Sequence, residues 1–164
     1  MSSQTKKRRI VETLCERVGA ELAAATRAAQ SAHDAATHEE AKPENDKDTR
    51  SVEAAYLAGA QASRAAELHQ VVNRLRRLPL ADFDGTTPLG AGALVTVEEE
   101  GQQLRHYFLL PVAGGIQVVV NDVQVETITV SSPLGSVLCG CHVGDEVQLD
   151  SPRGPRELRI RRVE

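Results

Sequence analysis

Two hydrophobic rhythms divide the chain. Between about residues 5 and 37, apolar or small side chains fall at Val11, Cys15, Val18, Leu22, Ala25, Ala29, Ala32 and Ala36. Their gaps alternate four and three, the heptad stripe that lets one helix pack lengthwise on another. Lys6, Arg9, Glu12, Glu16, Arg27 and Asp34 occupy the other faces, as a solvated helix surface requires. The same rhythm returns between about Arg50 and Leu78, at Ala55, Ala58, Ala62, Ala65, Leu68, Val72 and Leu75. Each stretch predicts a helix of roughly 30 residues, about 45 Å long at 1.5 Å per residue. Amphipathic helices must bury their stripes, and the break between these two is short, so an antiparallel hairpin over residues 1–78 is expected. Its tip is residues 38–50, HEEAKPENDKDTR, interrupted by Pro43 and rich in carboxylates. Toward that tip the stripes turn to alanine, which buries little area and makes the far end slender.

Pro79 stops the second helix, and residues 79–92, rich in Pro, Gly, Asp and Thr, read as a linker. The rhythm then changes to β-branched runs at Ala93–Glu98, Leu104–Val112, Ile116–Val120 and Val125–Val130, separated by glycines and Asn121–Asp122. Ser132 and Pro133 have the residue types of a helix cap and first turn, which predicts a short helix over Leu134–Leu138 closed by Gly140. Val143–Leu149 and Arg156–Val163 complete the pattern as a hairpin turning at residues 151–155. The expected class is α+β: a helical hairpin followed by a small domain of five or six strands over residues 93–164.

Composition narrows the function. Four aromatics (Tyr56, Phe83, Tyr107 and Phe108) are too few for a base-stacking platform. Residues 1–78 hold 13 Lys and Arg against 11 Asp and Glu, whereas residues 79–164 hold 6 against 12. An acidic C-terminal half argues against non-specific nucleic-acid binding there. No apolar run approaches the roughly 18 residues that span a bilayer, and no apolar stretch follows the basic N-terminus, so neither a membrane partner nor a secretory signal is expected. Three cysteines (Cys15, Cys139, Cys141) form no framework and fit a reducing, cytoplasmic setting. Cys139 and Cys141 read as packing residues flanking the short helix. His33, His38 and His69 lack partners at ligand spacing, and Arg74, Arg76 and Arg77 read as a solvated face. No nucleophile–base pair, phosphate loop or resident metal cluster appears, so the chain is not expected to be an enzyme.

The segment ITVSSPLGSVLCGCHVGDEVQLDSPRGPRELRI, residues 128–160, resembles the C-terminal pattern of the Gre family of bacterial transcript-cleavage factors. The shared features are a β-strand, a Ser-Pro step, a short apolar helix, a V-G-D-E-V strand and a final hairpin entered through P-x-G. The resemblance implies an N-terminal antiparallel coiled-coil hairpin and an FKBP-like C-terminal domain that docks on RNA polymerase, within the DNA-bound transcription complex. It also implies that the hairpin enters the polymerase secondary channel. Tip acids there help hold the second catalytic Mg2+ and stimulate cleavage of backtracked RNA, so the nascent RNA 3′ end is met only indirectly. The chain would then need no cofactor of its own, sharing the Mg2+ of the polymerase active site. A monomer is expected.

The usual family tip carries Asp and Glu three apart. Lys42–Asn45 (KPEN) matches the end of that pattern and makes Glu44 the match for its glutamate. Ala41 stands where the aspartate belongs, beside Glu40. Aligning the second helix backwards from Leu75 instead places the active turn near Asp46–Arg50. The resemblance therefore nominates Glu44 and Asp46 as metal-assisting acids within the polymerase complex, followed by Asp48 and Glu40. A solvated charged turn is the bland alternative for each. Ser132 and Pro133 match the Ser-Pro step that the family uses for polymerase contact, with Ser131 standing where family members carry Asp or Asn. The resemblance thus nominates all three as polymerase-binding; capping of the short helix is a compatible role. Three other functions compete: a secondary-channel regulator that inhibits or modulates polymerase, a prolyl isomerase, and a plain coiled-coil scaffold. Tyr107 and Phe108 are too few to line an isomerase pocket, and a scaffold leaves the Ser-Pro and V-G-D-E-V motif without a purpose.

Overall fold

The computed structural model describes residues 2–37, 50–99, 103–152 and 154–164. Two long helices come first, α1 (Ser3–Thr37) and α2 (Arg50–Arg76). They are followed by strands β1 (Leu94–Glu99), β2 (Gln103–Leu110), β3 (Gln117–Val120) and β4 (Val123–Thr129). Helix α3 (Pro133–Leu138) and strands β5 (Glu146–Leu149) and β6 (Arg156–Val163) close the chain. These elements fall within a few residues of those the sequence predicts. The chain forms two compact units, one of residues 15–73 and one of residues 1–14 with 74–164.

On α1 the expected stripe from Val11 to Ala36 is partly or fully buried throughout, whereas on α2 the register differs from the expected one. On α2 the partly or fully buried positions up to Leu68 are Ala54, Ala58, Gln61, Ala65 and Leu68, gaps that alternate four and three, and Val71, Val72 and Asn73 follow. Ala55 and Ala62 are exposed. On α1 Cys15 is half-buried, and Val18, Ala25 and Ala32 are the deepest positions. The reason is that α2 carries alanine on several faces, so alanine does not mark which stripe is inside. Leu68 and Val72 do mark it, and counting back from them by four and three gives the observed set. A cross-helix ion pair, Arg64 to Glu21 at 3.6 Å, agrees with the antiparallel direction but is solvent-exposed on both sides and contributes little.

The second unit is built on one six-stranded sheet in the order β3-β4-β2-β1-β6-β5. β2 and β4 are parallel, and the other neighbours pair antiparallel. Alternation along β1 sends Val95 and Val97 to one face, where they meet Tyr107, Leu109, Ile128, Leu138, Leu158 and Ile160 in an aliphatic core. Leu94, Phe108 and Leu110 lie on the other face and are just as deeply buried, as are Ile10, Leu14 and Leu75 of the same unit. The sheet is therefore covered on both sides.

Two buried charges fall outside the sequence expectations. Alternation continues from Val97 to Glu99, which is only 5 % exposed. Its carboxylate is held by Arg105 of β2 at 2.8 Å and Arg156 of β6 at 2.7 Å, so three strands share one ionic clasp. Lys7 of α1 has no exposed surface at all. Its Nζ donates to the Ala81 carbonyl at 2.8 Å and lies 4.8 Å from the centre of the Phe83 ring. Burial lowers its pKa to about 8, partly opposed by Asp82 and Glu164. The neighbouring Lys6 pairs with Glu164 at 3.0 Å. These contacts tie the start of α1 to the segment after α2 and to the chain's end.

Candidate functional site

The surface around the Ser-Pro step is assembled by backbone constraints. After β4, Ser132 caps α3: its Oγ accepts from the Gly135 amide at 3.1 Å and donates to the Thr129 carbonyl at 2.7 Å. Pro133 takes the first helical position, where no amide donor is needed. Gly135 allows α3 to lie against the end of β4, since a Cβ there would come within 1.9 Å of the Thr129 carbonyl oxygen. Leu138 anchors the other end of the helix in the core. Gly140, at φ 84°, then reverses the chain. A two-way backbone tie follows, Leu89 N–H to Cys141 O and Gly140 N–H to Leu89 O, both at 2.8 Å. The V-G-D-E-V segment (Val143–Val147) leads into β5. There Gly144 at φ 95° turns the chain, and the Asp145 carboxylate accepts the His142 amide at 2.7 Å.

The result is a rigid ridge from which Ser131, Pro133 and Ser136 face solvent. Because the Ser132 hydroxyl is engaged in both directions, it is a fixed cap and not a nucleophile. Ser136 Oγ is likewise engaged, donating to the Pro133 carbonyl at 2.9 Å. The Ser131 hydroxyl makes a long, weak contact with Thr129 Oγ1 at 3.4 Å. Such a surface suits binding: an apolar proline beside an accessible hydroxyl, held on an immobile base.

The tip acids Glu40, Glu44, Asp46 and Asp48, together with Ala41 and His38, lie outside the described residues. Among the described residues, no group of three His, Cys, Asp or Glu side chains could hold a metal ion. Arg74, Arg76 and Arg77 are exposed, as a solvated face requires, and so is His33. His69 contacts Asn73 at 3.3 Å. Cys139 and Cys141 pack at the core margin, and burial pushes both thiols up from their ordinary pKa, which makes them poor nucleophiles. No helix among the described residues is long and apolar enough to cross a membrane. The Glu99 clasp was legible in principle, because the period-two pattern of Val95 and Val97 runs on to Glu99.

Comparison with known proteins bears on this surface. Residues 89–164 match the family described as "Transcription elongation factor, GreA/GreB, C-term". The "Transcription elongation factor GreA" of Chelativorans sp. (strain BNC1) is 28% identical over 101 residues, covering 62% of this chain and 60% of that protein. The chain thus matches less than two thirds of that relative's length. The "Transcription inhibitor protein Gfh1" of Thermus thermophilus is 29% identical over 118 residues, 71% of each chain. The crystal structure of GreA factor homolog 1 (Gfh1) of Thermus thermophilus aligns over 96% of this chain and 94% of that one, at 22% identity and a TM-score of 0.39. The family match starts at Leu89, the residue tied to Gly140 and Cys141, and runs through the Ser-Pro ridge to the last residue. Residues 89–164 are thus similar to the C-terminal part of the GreA/GreB transcription elongation factors.

Proposed function

We propose that the chain is a Gre-type factor of the cytoplasm that binds bacterial RNA polymerase. It inserts its helical hairpin into the secondary channel and stimulates cleavage of backtracked RNA without being an enzyme itself. The observation that carries this reading is the family match over the whole of residues 89–164, on a chain that begins with the paired helices α1 and α2. The ridge of Ser131, Ser132 and Pro133 is the docking surface for polymerase in this reading. In this reading the segment between α1 and α2 supplies Glu44 and Asp46 as the metal-assisting acids, followed by Asp48 and Glu40. Carboxylate oxygens are the right donors for a hard cation, and one or two suffice because Mg2+ keeps several waters. The metal, bound in the polymerase, supplies charge neutralisation at the reacting phosphate. The chain's own part is to bring negative oxygens to it and to hold them there.

A second reading, inhibition of transcription from the same channel, is favoured by two observations. The match to the transcription inhibitor Gfh1 spans 118 residues against 101 for the GreA of Chelativorans, at similar identity. Ala41 in place of an acid points the same way. Purified polymerase stalled in a backtracked complex separates the two. Faster release of short RNA 3′ fragments on adding the chain supports stimulation, and its loss in Glu44→Gln with Asp46→Asn, with polymerase binding intact, assigns the acids. Slower cleavage, or competition with an authentic GreA without cleavage, supports inhibition. Failure to bind polymerase at all, in the parent and in Ser131→Ala with Pro133→Ala alike, refutes both.

A further inference from the structure

Strands β2 and β4 run parallel, but they pair only from His106 opposite Val125 onward. Before that point Gln103–Arg105 pair with β1 alone, and Val123–Gln124 pair with β3 alone. The sheet therefore forks, and main-chain groups that a full ladder would bond face the gap. The fork holds a cleft of about 360 Å³ whose lining includes Arg105, Tyr107, Gln117, Asp122, Gln124 and Glu126.

One of these residues carries a polar group with nothing to bond. Tyr107 is only 4% exposed and packs in the core, where a phenol hydroxyl normally finds a partner. Its hydroxyl has none among the described residues. The hydroxyl is not sealed from water, so this polar end opens into the cleft. Burial raises its pKa, which keeps the proton in place as a donor.

Charge is divided across the fork. On the β1–β2 side, the guanidiniums of Arg105 and Arg156 share the single carboxylate of Glu99, which leaves one positive charge in excess. Arg105 spends its Nε on Glu99 at 2.8 Å, and its side chain is 45% exposed, so its Nη donors remain for another acceptor. On the β4 side, Glu126 has no ion-pair or hydrogen-bond partner among the described residues, and Asp122 stands in the β3–β4 turn. Alternation and register put Arg105, Tyr107 and Glu126 on one face of the sheet. Arg105 and Glu126 hold diagonal positions there, about 7–8 Å apart. An α-amino acid with a hydrogen bond at each charged end spans about 8 Å.

We propose that the fork between β2 and β4 binds a small zwitterion of the α-amino-acid class. Its carboxylate accepts from Arg105 Nη and from the Tyr107 hydroxyl, and its ammonium group donates to Glu126. The amides of Gln117 and Gln124, bonded to each other at 2.8 Å, border the space left for the ligand's side chain. The site lies in the sheet unit and does not depend on the polymerase reading.

Titration of the full chain with L-alanine, L-glutamine and L-glutamate, followed by NMR, tests it. At least one should give saturable shifts in the amide signals of residues 103–107 and 123–126, with a dissociation constant of about 1 mM or below. The N-acetyl and amide derivatives of that amino acid each lack one charge and should bind at least about tenfold more weakly. Tyr107→Phe keeps the ring in the core, and Glu126→Gln changes a partly exposed position. Each should weaken binding at least about fivefold while the other signals of the spectrum stay in place. No saturable shift with any of the three amino acids up to about 10 mM overturns the proposal. So does a ligand that binds either variant as tightly as the parent, and so does a blocked derivative that binds as tightly as the free amino acid.

Discussion

In the unit formed by residues 1–14 and 74–164, Phe108, Leu109, Leu110, Leu138, Leu158 and Ile160 are each fully or almost fully buried. In residues 15–73 the deepest side chains toward Thr37 are Ala25 and Ala32, both 7% exposed, and Gln61 occupies a seam position. A buried leucine withdraws several times the apolar area of an alanine, so per residue the sheet unit gains far more from water exclusion. The helical unit leans on backbone hydrogen bonds and alanine's high helix propensity instead. Stability is thus concentrated in the unit that bears the Ser-Pro ridge. Residues 15–73 have shape, charge and reach, with less to hold them.

This contrast can be broken from either side. The largest effect belongs to the core: Leu109→Ala should cost about 3–4 kcal/mol, read from chemical denaturation of the sheet unit. The comparable cut in the helical unit, Ala32→Gly, should cost only about 1 kcal/mol. Equal costs would mean that the alanine seam is as well packed as the sheet core.

Next comes a change that adds one carbon. Gly135→Ala should destabilise the sheet unit by about 2–3 kcal/mol, because its Cβ cannot share space with the Thr129 carbonyl oxygen. Thermal melting should show the loss, and Gly115→Ala offers the comparison: an added Cβ there has open space, and only its φ of 82° is strained.

A pH series probes Lys7. Its pKa falls from the usual lysine value to about 8 on folding, so above pH 8 the unfolded chain binds more protons at this site than the folded one. Its contribution to stability therefore rises with pH between about 8 and 10.5, and is constant below. Tyr107 and both half-buried cysteines titrate nearby and act in the opposite sense, since burial raises each of their pKa values. The difference between parent and Lys7→Met isolates the lysine. The advantage of the methionine should shrink by roughly 3–5 °C in melting temperature from pH 7.5 to 10.5. A gap that stays constant would mean that Lys7 keeps an ordinary pKa.

The smallest expected effect sharpens the comparison from the helical side. Gln61→Leu places an apolar group on the seam and should stabilise residues 15–73 by about 0.5–1 kcal/mol, seen as a later loss of helical signal on heating. A loss of stability would show that Gln61 serves the seam as a polar contact.

Most of the architecture was legible in the order of residues, for an identifiable reason. Heptad gaps, Pro79, the Ser132–Pro133 start and the β-branched runs are local signals, and the elements they mark are local structures. Less legible was whatever depends on a neighbour distant in sequence. Nothing local tells Ala54 from Ala55, and the choice is made by which stripe continues into Leu68. The parallel pairing of β2 with β4 is a consequence of sheet assembly. Lys7 looks like any surface lysine until Ala81 and Phe83 fold over it. At the candidate site, the Ser-Pro ridge could be read directly because its capping chemistry is local. The tip acids are known from sequence and resemblance alone.

Lys7 has one more consequence, in the chemistry of reagents. Burial both lowers the pKa of this amine and hides it, since Lys7 has no exposed surface, and once the start of α1 opens it returns to water and reacts as an ordinary lysine. Acylating reagents will mark Lys6 and pass over Lys7 unless the start of α1 lifts from Ala81 and Phe83. The rate at which Lys7 is acylated is therefore a clock for that opening, read by mass spectrometry on the unmutated chain.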